Sequence, residues 1–170
     1  MNFDPTPDDI AIAESAWRPR KLRPQAQTVD ETSSFVAGSI PALAELGVMG
    51  LNLPERWGGP GVTAVALYLS VEHLVAACGS TASMVTAHYL ATDAVLIGGS
   101  DEQRARLLPD AAQGRKLGAF ALTEPRAGSN PLDMSARAVR EGAGWRLTGR
   151  WCLAARRPSG ERHAGRLLMC

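Results

Sequence analysis

Residues 120–130 read FALTEPRAGSN, so a hydroxyl at Thr123, a carboxylate at Glu124, a bare backbone at Gly128 and a second hydroxyl at Ser129 fall close together. Two chemistries suit such a run. In one, Pro125 stops a strand, Gly128 turns the chain, and Thr123 and Ser129 satisfy nearby backbone groups. In the other, Thr123 and exposed loop amides hydrogen-bond a planar, polar-edged cofactor, while Gly128 and Ser129 let the backbone approach a phosphate or amide. The local residues leave both open. Other candidate motifs are weaker. GGPGVTA holds G-x-G-x-x-A at Gly59, Gly61 and Ala64, but Pro54 and Glu55 precede it where a dinucleotide fold needs a buried strand. Ser129 does not form a nucleophile elbow, because Pro131 takes the place of the second glycine and no helix pattern follows. His73, His88 and His163 are isolated and read as packed residues whose ring nitrogens find local partners. No metal site is predicted, and no catalytic residue is assigned.

Composition narrows the class of protein but names no partner. The 170 residues are 45% hydrophobic and 21% charged, enough for one medium domain or a small domain plus part of another. Eighteen Lys and Arg against seventeen Asp and Glu leave a formal charge of +1, so no global field favours nucleic acid or an anionic membrane. Cys78, Cys152 and Cys170 are odd in number, far apart and outside any zinc spacing, which points to a reduced, cytoplasmic setting. The N-terminal residues MNFDPTPDDI lack the basic and apolar regions of a secretory signal. The most apolar run, Ala64 to Cys78, is short and interrupted by Glu72 and His73, so no membrane span is expected.

The elements that must position the 120–130 stretch follow from periodicity and capping. Residues 7–25 have weak helical character and predict a surface helix that WRPRKLRP frays or ends. Residues 30–46 predict a second helix, with a restart at Pro41 and an end at Gly47. The Gly- and Pro-rich run GVMGLNLPERWGGPG predicts an ordered loop, and Thr63 an N-cap. Residues 64–78 and 81–97 are apolar around most of their circumference and carry no Lys or Arg, so both predict helices buried on several sides. Gly79-Ser80 reads as their tight connection, with Ser80 or Thr81 capping the second. Ser100 with Gln103 three positions on forms a capping-box pattern for an amphipathic helix. After Gly114, KLGAFALTEP predicts a strand, and SARAVREGAGWRLTG two strands around a Glu-Gly-Ala-Gly turn. About three or four strands fit in residues 117–155.

Four stretches in this order, LGVMGLNLPERWGGPG, SVEHLVAACGSTA, GSDEQRARLLPDAAQG and above all GAFALTEPRAGSN, resemble the acyl-CoA dehydrogenase family over roughly residues 30–150. The resemblance implies a fold that is mainly α, an N-terminal helical domain over residues 1–116, followed over 117–155 by the first strands of an incomplete β-barrel-like domain. Residues 156–170 then form a divergent basic tail. It implies FAD as cofactor, an acyl-CoA as substrate, an electron-transfer acceptor and a homo-oligomer when complete. The flavin-contacting residues it implies are Phe120, Ala121, Leu122, Thr123, Gly128 and Ser129, with Thr123 and nearby main chain at the isoalloxazine edge. Ser129 is implied near both the pyrophosphate and the acyl-CoA substrate.

Family chemistry is abstraction of an α-proton from the thioester by a glutamate, with hydride passing from the β-carbon to flavin N5. That glutamate belongs to the family's C-terminal half. Glu124 is therefore expected to be a motif residue beside the flavin, and this chain to be a truncated form that does not turn over alone. Three residues depart from the family pattern: Arg126 for glycine, Asn130 for aspartate, and Ala155, in LAAR, for a hydroxyl residue near the flavin. Gly149 to Trp151 resembles a flavin-monooxygenase branch of the same superfamily, which is one alternative. A non-catalytic paralogue that acts by association is the other. Without further domains to cover them, the two apolar helices are expected to expose surface that makes the chain associate.

Overall fold

The computed structural model describes residues 3–16, 22–142 and 144–150. They divide into two units, one running to Ala119 and the other beginning at Phe120.

The first unit is helical. Helix α1 spans Pro7–Ala16 and packs against helix α4, Ala64–Ala77. The joint between their starts is polar. Thr6 Nα and Oγ1 donate to Asp9 Oδ2 at 2.9 and 2.7 Å, Asp9 N donates back to Thr6 Oγ1 at 3.2 Å, and Thr63 Oγ1 donates to Asp9 Oδ1. Thr63 also accepts from Ala66 N at 3.1 Å, so one threonine caps α4 and ties it to α1. Helix α1 is thus more than the surface helix expected, since Asp9 and Ala13 are buried. Residues 17–21 lie outside the described set.

The single helix expected over 30–46 is two helices. Helix α2, Arg23–Thr32, has Pro24 as its second residue and stops where Ser33 takes a left-handed φ of 50°. Pro24 therefore marks a first turn, where a missing N–H is harmless, and does not end a helix. Helix α3 is short, Ile40–Glu45, and Gly47 terminates it with φ 71°. The expected ordered loop holds short 3-10 turns at Val48–Gly50 and Glu55–Trp57. Its apolar residues Val48, Met49, Leu51 and Leu53 are buried. A Cβ on Gly59 would stand 1.9 Å from the Leu53 carbonyl oxygen, so that glycine is required by backbone packing.

Helix α5, Gly79–Gly98, follows α4 with one residue between them. Cys78, at φ −157° and ψ 102°, is at once the C-cap of α4 and the N-cap of α5. The predicted caps Ser80 and Thr81 instead lie inside the helix, because the chain reverses at the cysteine and leaves Gly79 free to begin the next turn. Val85, Tyr89 and Leu74 form one core with Leu43, Val48 and Met49. Helix α6, Asp101–Ala112, closes a second core of Leu53, Val95, Leu108 and Ala112. Its N-terminus carries the complete capping box: Gln103 N donates to Ser100 Oγ at 3.3 Å and Ser100 N to Gln103 Oε1 at 2.7 Å.

The second unit has two strands among the described residues, β1 at Arg137–Glu141 and β2 at Gly144–Thr148. They pair antiparallel with Arg137 opposite Thr148 and Glu141 opposite Gly144. Gly142, at φ 58°, makes the turn between them. The strand expected over KLGAFALTEP does not form. A strand exists by its ladder, and none of residues 117–123 pairs with a described neighbour.

Candidate functional site

The segment that carries the candidate residues leaves the helical unit at a buried anchor. His88 of α5 is fully buried and uses both ring nitrogens. Nδ1 accepts from Gly118 N at 2.9 Å, which leaves the proton on Nε2, where it is directed to Met49 O at 3.2 Å. Burial holds the imidazole below its ordinary pKa, and the Met49 and Ala111 carbonyls oppose that shift in part. The ring is therefore a neutral strut joining α5, the 48–50 turn and the chain at Gly118, as a packed histidine should be. A Cβ at Gly118 would lie 2.7 Å from Ala91 Cβ, so only glycine lets the chain pass this close to α5.

Beyond this anchor Phe120 is half-buried, and Ala121, Leu122 and Thr123 are exposed. The chain then folds back over Pro125 and Arg126. Glu124 N donates to Ala127 O at 2.9 Å and Ala127 N to Glu124 O at 3.2 Å, a two-bond bridge that brings the flanking residues Thr123 and Gly128 to the same end of the turn. Ala127 is buried, whereas Arg126, Gly128 and Ser129 are exposed.

Glu124 turns the opposite way from its neighbours and is only 3% exposed. Its Oε2 accepts from Ser135 N and Ser135 Oγ, both at 2.6 Å, and its Oε1 accepts from Ala136 N at 2.9 Å. The Ser135 hydroxyl, then the Ser135 and Ala136 amides, hold the carboxyl below its ordinary pKa against the opposing effect of burial. Both oxygens are engaged, by three donors, so Glu124 is held in a fixed position by its neighbours' amides and hydroxyl.

Asn130, which stands in place of an aspartate, caps the next turn. Its Oδ1 accepts from Leu132 N at 3.2 Å and its Nδ2 donates to Asp133 Oδ2 at 3.0 Å. The amide therefore fills the capping role that a carboxylate would have, and adds a donor.

The structure thus sets Thr123, Gly128 and Ser129 on one exposed loop around the Glu124–Ala127 bridge. Among the described residues the N–H groups and hydroxyls of Thr123 and Ser129, and the N–H of Gly128, have no protein partner. A Cβ built on Gly128 would meet nothing within 4 Å, so space is open over that backbone. This is a donor-rich edge able to receive carbonyl or phosphate oxygens. Sequence reading missed two features that build it, the Gly118–His88 anchor and the reach of Glu124 to Ser135 and Ala136. Trp151 and Ala155 lie outside the described residues. Among those described, no cluster of His, Cys, Asp or Glu could hold a metal ion, and no helix is long and apolar enough to cross a membrane.

Comparison with known proteins gives this arrangement a context. Residues 11–115 match the sequence model of the acyl-CoA dehydrogenase N-terminal domain. A probable acyl-CoA dehydrogenase of Bacillus subtilis, YngJ, is 34% identical over 155 residues, which cover 89% of this chain and 41% of that protein. Butyryl-CoA dehydrogenase from Megasphaera elsdenii superposes with a TM-score of 0.77 at 28% identity, over 88% of this chain and 41% of the other. A glutaryl-CoA dehydrogenase from Mycobacterium smegmatis, solved in complex with FADH2, gives 0.78 at 31% identity, over 85% and 38%. The chain thus spans about two fifths of the length of these relatives. The mostly helical first unit and the antiparallel pair after it agree with an N-terminal helical domain and the start of a β domain. By the family model, by sequence and by fold, the chain belongs to the acyl-CoA dehydrogenase family.

Proposed function

We propose that this chain supplies the N-terminal helical part and one flavin-facing wall of an FAD-dependent oxidoreductase that introduces an α,β double bond into an acyl-CoA thioester. The observation that carries the reading is the exposed edge of Thr123, Gly128 and Ser129, whose donors meet no partner among the described residues and where space is open over Gly128. The donor set fits the group: hydroxyl and amide donors suit the oxygen- and nitrogen-rich rim of an isoalloxazine ring and the oxygens of a pyrophosphate. Thr123 would hold the ring edge through its hydroxyl and main chain, with Phe120, Ala121 and Leu122 alongside. Gly128 would admit the ligand to the backbone, and Ser129 would contact the pyrophosphate and the acyl-CoA. The chemistry FAD supplies when bound is acceptance of hydride from the acyl β-carbon. The residues of this chain orient and exclude water; none of the described carboxylates is assigned as the base, and Glu124 is committed to Ser135 and Ala136. An electron-transfer protein as acceptor and a homo-oligomeric assembly complete the proposal.

The test is flavin retention by the purified chain. After incubation with FAD and gel filtration, near-stoichiometric yellow protein is the expected result. Colourless protein with intact helical circular dichroism would overturn the reading and favour a role by association alone.

A further inference from the structure

We infer that Glu124 is a positioning residue, whose carboxylate sets the spacing between Thr123 on one side of the turn and Gly128 and Ser129 on the other, and so presents them to the flavin as one rigid edge. The inference rests on the flavin reading above. Four observations carry it. Glu124 is buried in a segment whose neighbours Thr123, Pro125, Arg126, Gly128 and Ser129 are all exposed. Its main chain closes the 124–127 bridge while its side chain closes the longer loop to Ser135 and Ala136, so one residue fixes both ends of the edge. Both carboxylate oxygens are used, by three donors on two consecutive residues immediately before β1. No Lys or Arg among the described residues lies within ion-pair distance of it, so its charge is balanced by N–H and O–H donors that only an anion accepts in full.

A glutamine at this position has one oxygen in place of two. It must release either the Ser135 amide or the Ala136 amide, and the loop opens on that side. Removing the Ser135 hydroxyl loses one bond and keeps the two amide bonds, so it should loosen the edge in the same direction and by less.

The experiment uses the full chain in three forms: wild type, Glu124→Gln and Ser135→Ala. Without flavin, trypsin cleavage after Arg126, followed by mass, reads how often the loop opens. We expect E124Q to speed it by about tenfold and S135A by about threefold, the ratio expected for one charge-assisted bond against one hydroxyl contact. With FAD, E124Q should weaken retention by about tenfold and move the visible flavin band toward that of free FAD, while the thermal melt of the helical unit is unchanged. Equal cleavage rates in all three forms would overturn the inference. So would equal retention with an unaltered spectrum in E124Q, and in that case the flavin reading would stand. If the wild type retains no flavin, the flavin reading itself falls and the role assigned to Glu124 falls with it, whatever the cleavage rates show.

Discussion

Thr123 and Ser129 carry hydroxyls that no protein group among the described residues uses, which is what the proposed ligand-facing wall requires and a plain chain corner does not. Replacing Thr123 by Val or Ser129 by Ala should weaken FAD retention by about five- to tenfold each, the worth of one lost hydrogen bond. Because both positions are exposed, unfolding free energy should shift by no more than about 0.5 kcal/mol, as urea titration would show. The local residues left a chain corner and a ligand edge both open, and only the hydroxyls and the Gly-turn themselves were legible in the sequence. The partners of Glu124 were not, since its bonds cross eleven and twelve positions and no periodicity links such distant residues. Two buried titrating groups make a further prediction. The folded state holds both His88 and Asp9 below their ordinary pKa, His88 by desolvation and Asp9 chiefly through the Thr63 hydroxyl and then Thr6. In each case the unfolded chain takes up the proton first as pH falls, so acid destabilises. Melting temperature should decline from about pH 6.5 downward through His88, then again below about pH 3.9 through Asp9. His88→Gln should remove the upper limb of that profile, and Asp9→Asn should reduce the lower, to which the lowered carboxyls of Glu124 and Asp110 also contribute.

At the scale of elements, capping and patterning were readable where the signal is local. Thr63 and the Ser100–Gln103 box cap their helices as expected, and the two apolar runs are the helices α4 and α5. The errors came where a non-local contact decides. Residues 117–123 have strand-like composition, yet composition cannot supply a partner strand. Helix 30–46 broke because Ser33 enters the left-handed region, which a serine seldom does and which no local pattern announces. The contact of Gly118 with α5 is of the same kind, and it gives a sharp test. Gly118→Ala would place a methyl 2.7 Å from Ala91 Cβ and push the chain off the His88 ring. Destabilisation of about 1–3 kcal/mol is expected by chemical denaturation, with partial relief when Ala91 is changed to Gly in the same chain.

For the whole molecule, the helical unit holds its own cores yet leaves large apolar side chains in water. Tyr68 and Val75 lie seven residues apart on α4 and are 72% and 55% exposed; Leu90 and Ile97 lie seven apart on α5 at 53% and 81%. Each pair forms a stripe along one helical face. Light scattering should therefore show concentration-dependent association, and the double change Leu90→Gln with Ile97→Gln should reduce it without lowering the melting temperature. A monodisperse monomer at high concentration would contradict this. What lies between the two helices has a different consequence. With Cys78 alone separating α4 from α5, the joint has no slack, and the rotational phase of the second helix is inherited from the first. One inserted residue in α5 before His88 would turn the face beyond it by about 100°. The ring would then swing away from both Met49 and Gly118. The length of the run from Thr63 to His88 is consequently as much a determinant of the loop proposed to face the flavin as any residue in the loop itself, and drift in this lineage should proceed there by substitution and hardly ever by insertion or deletion.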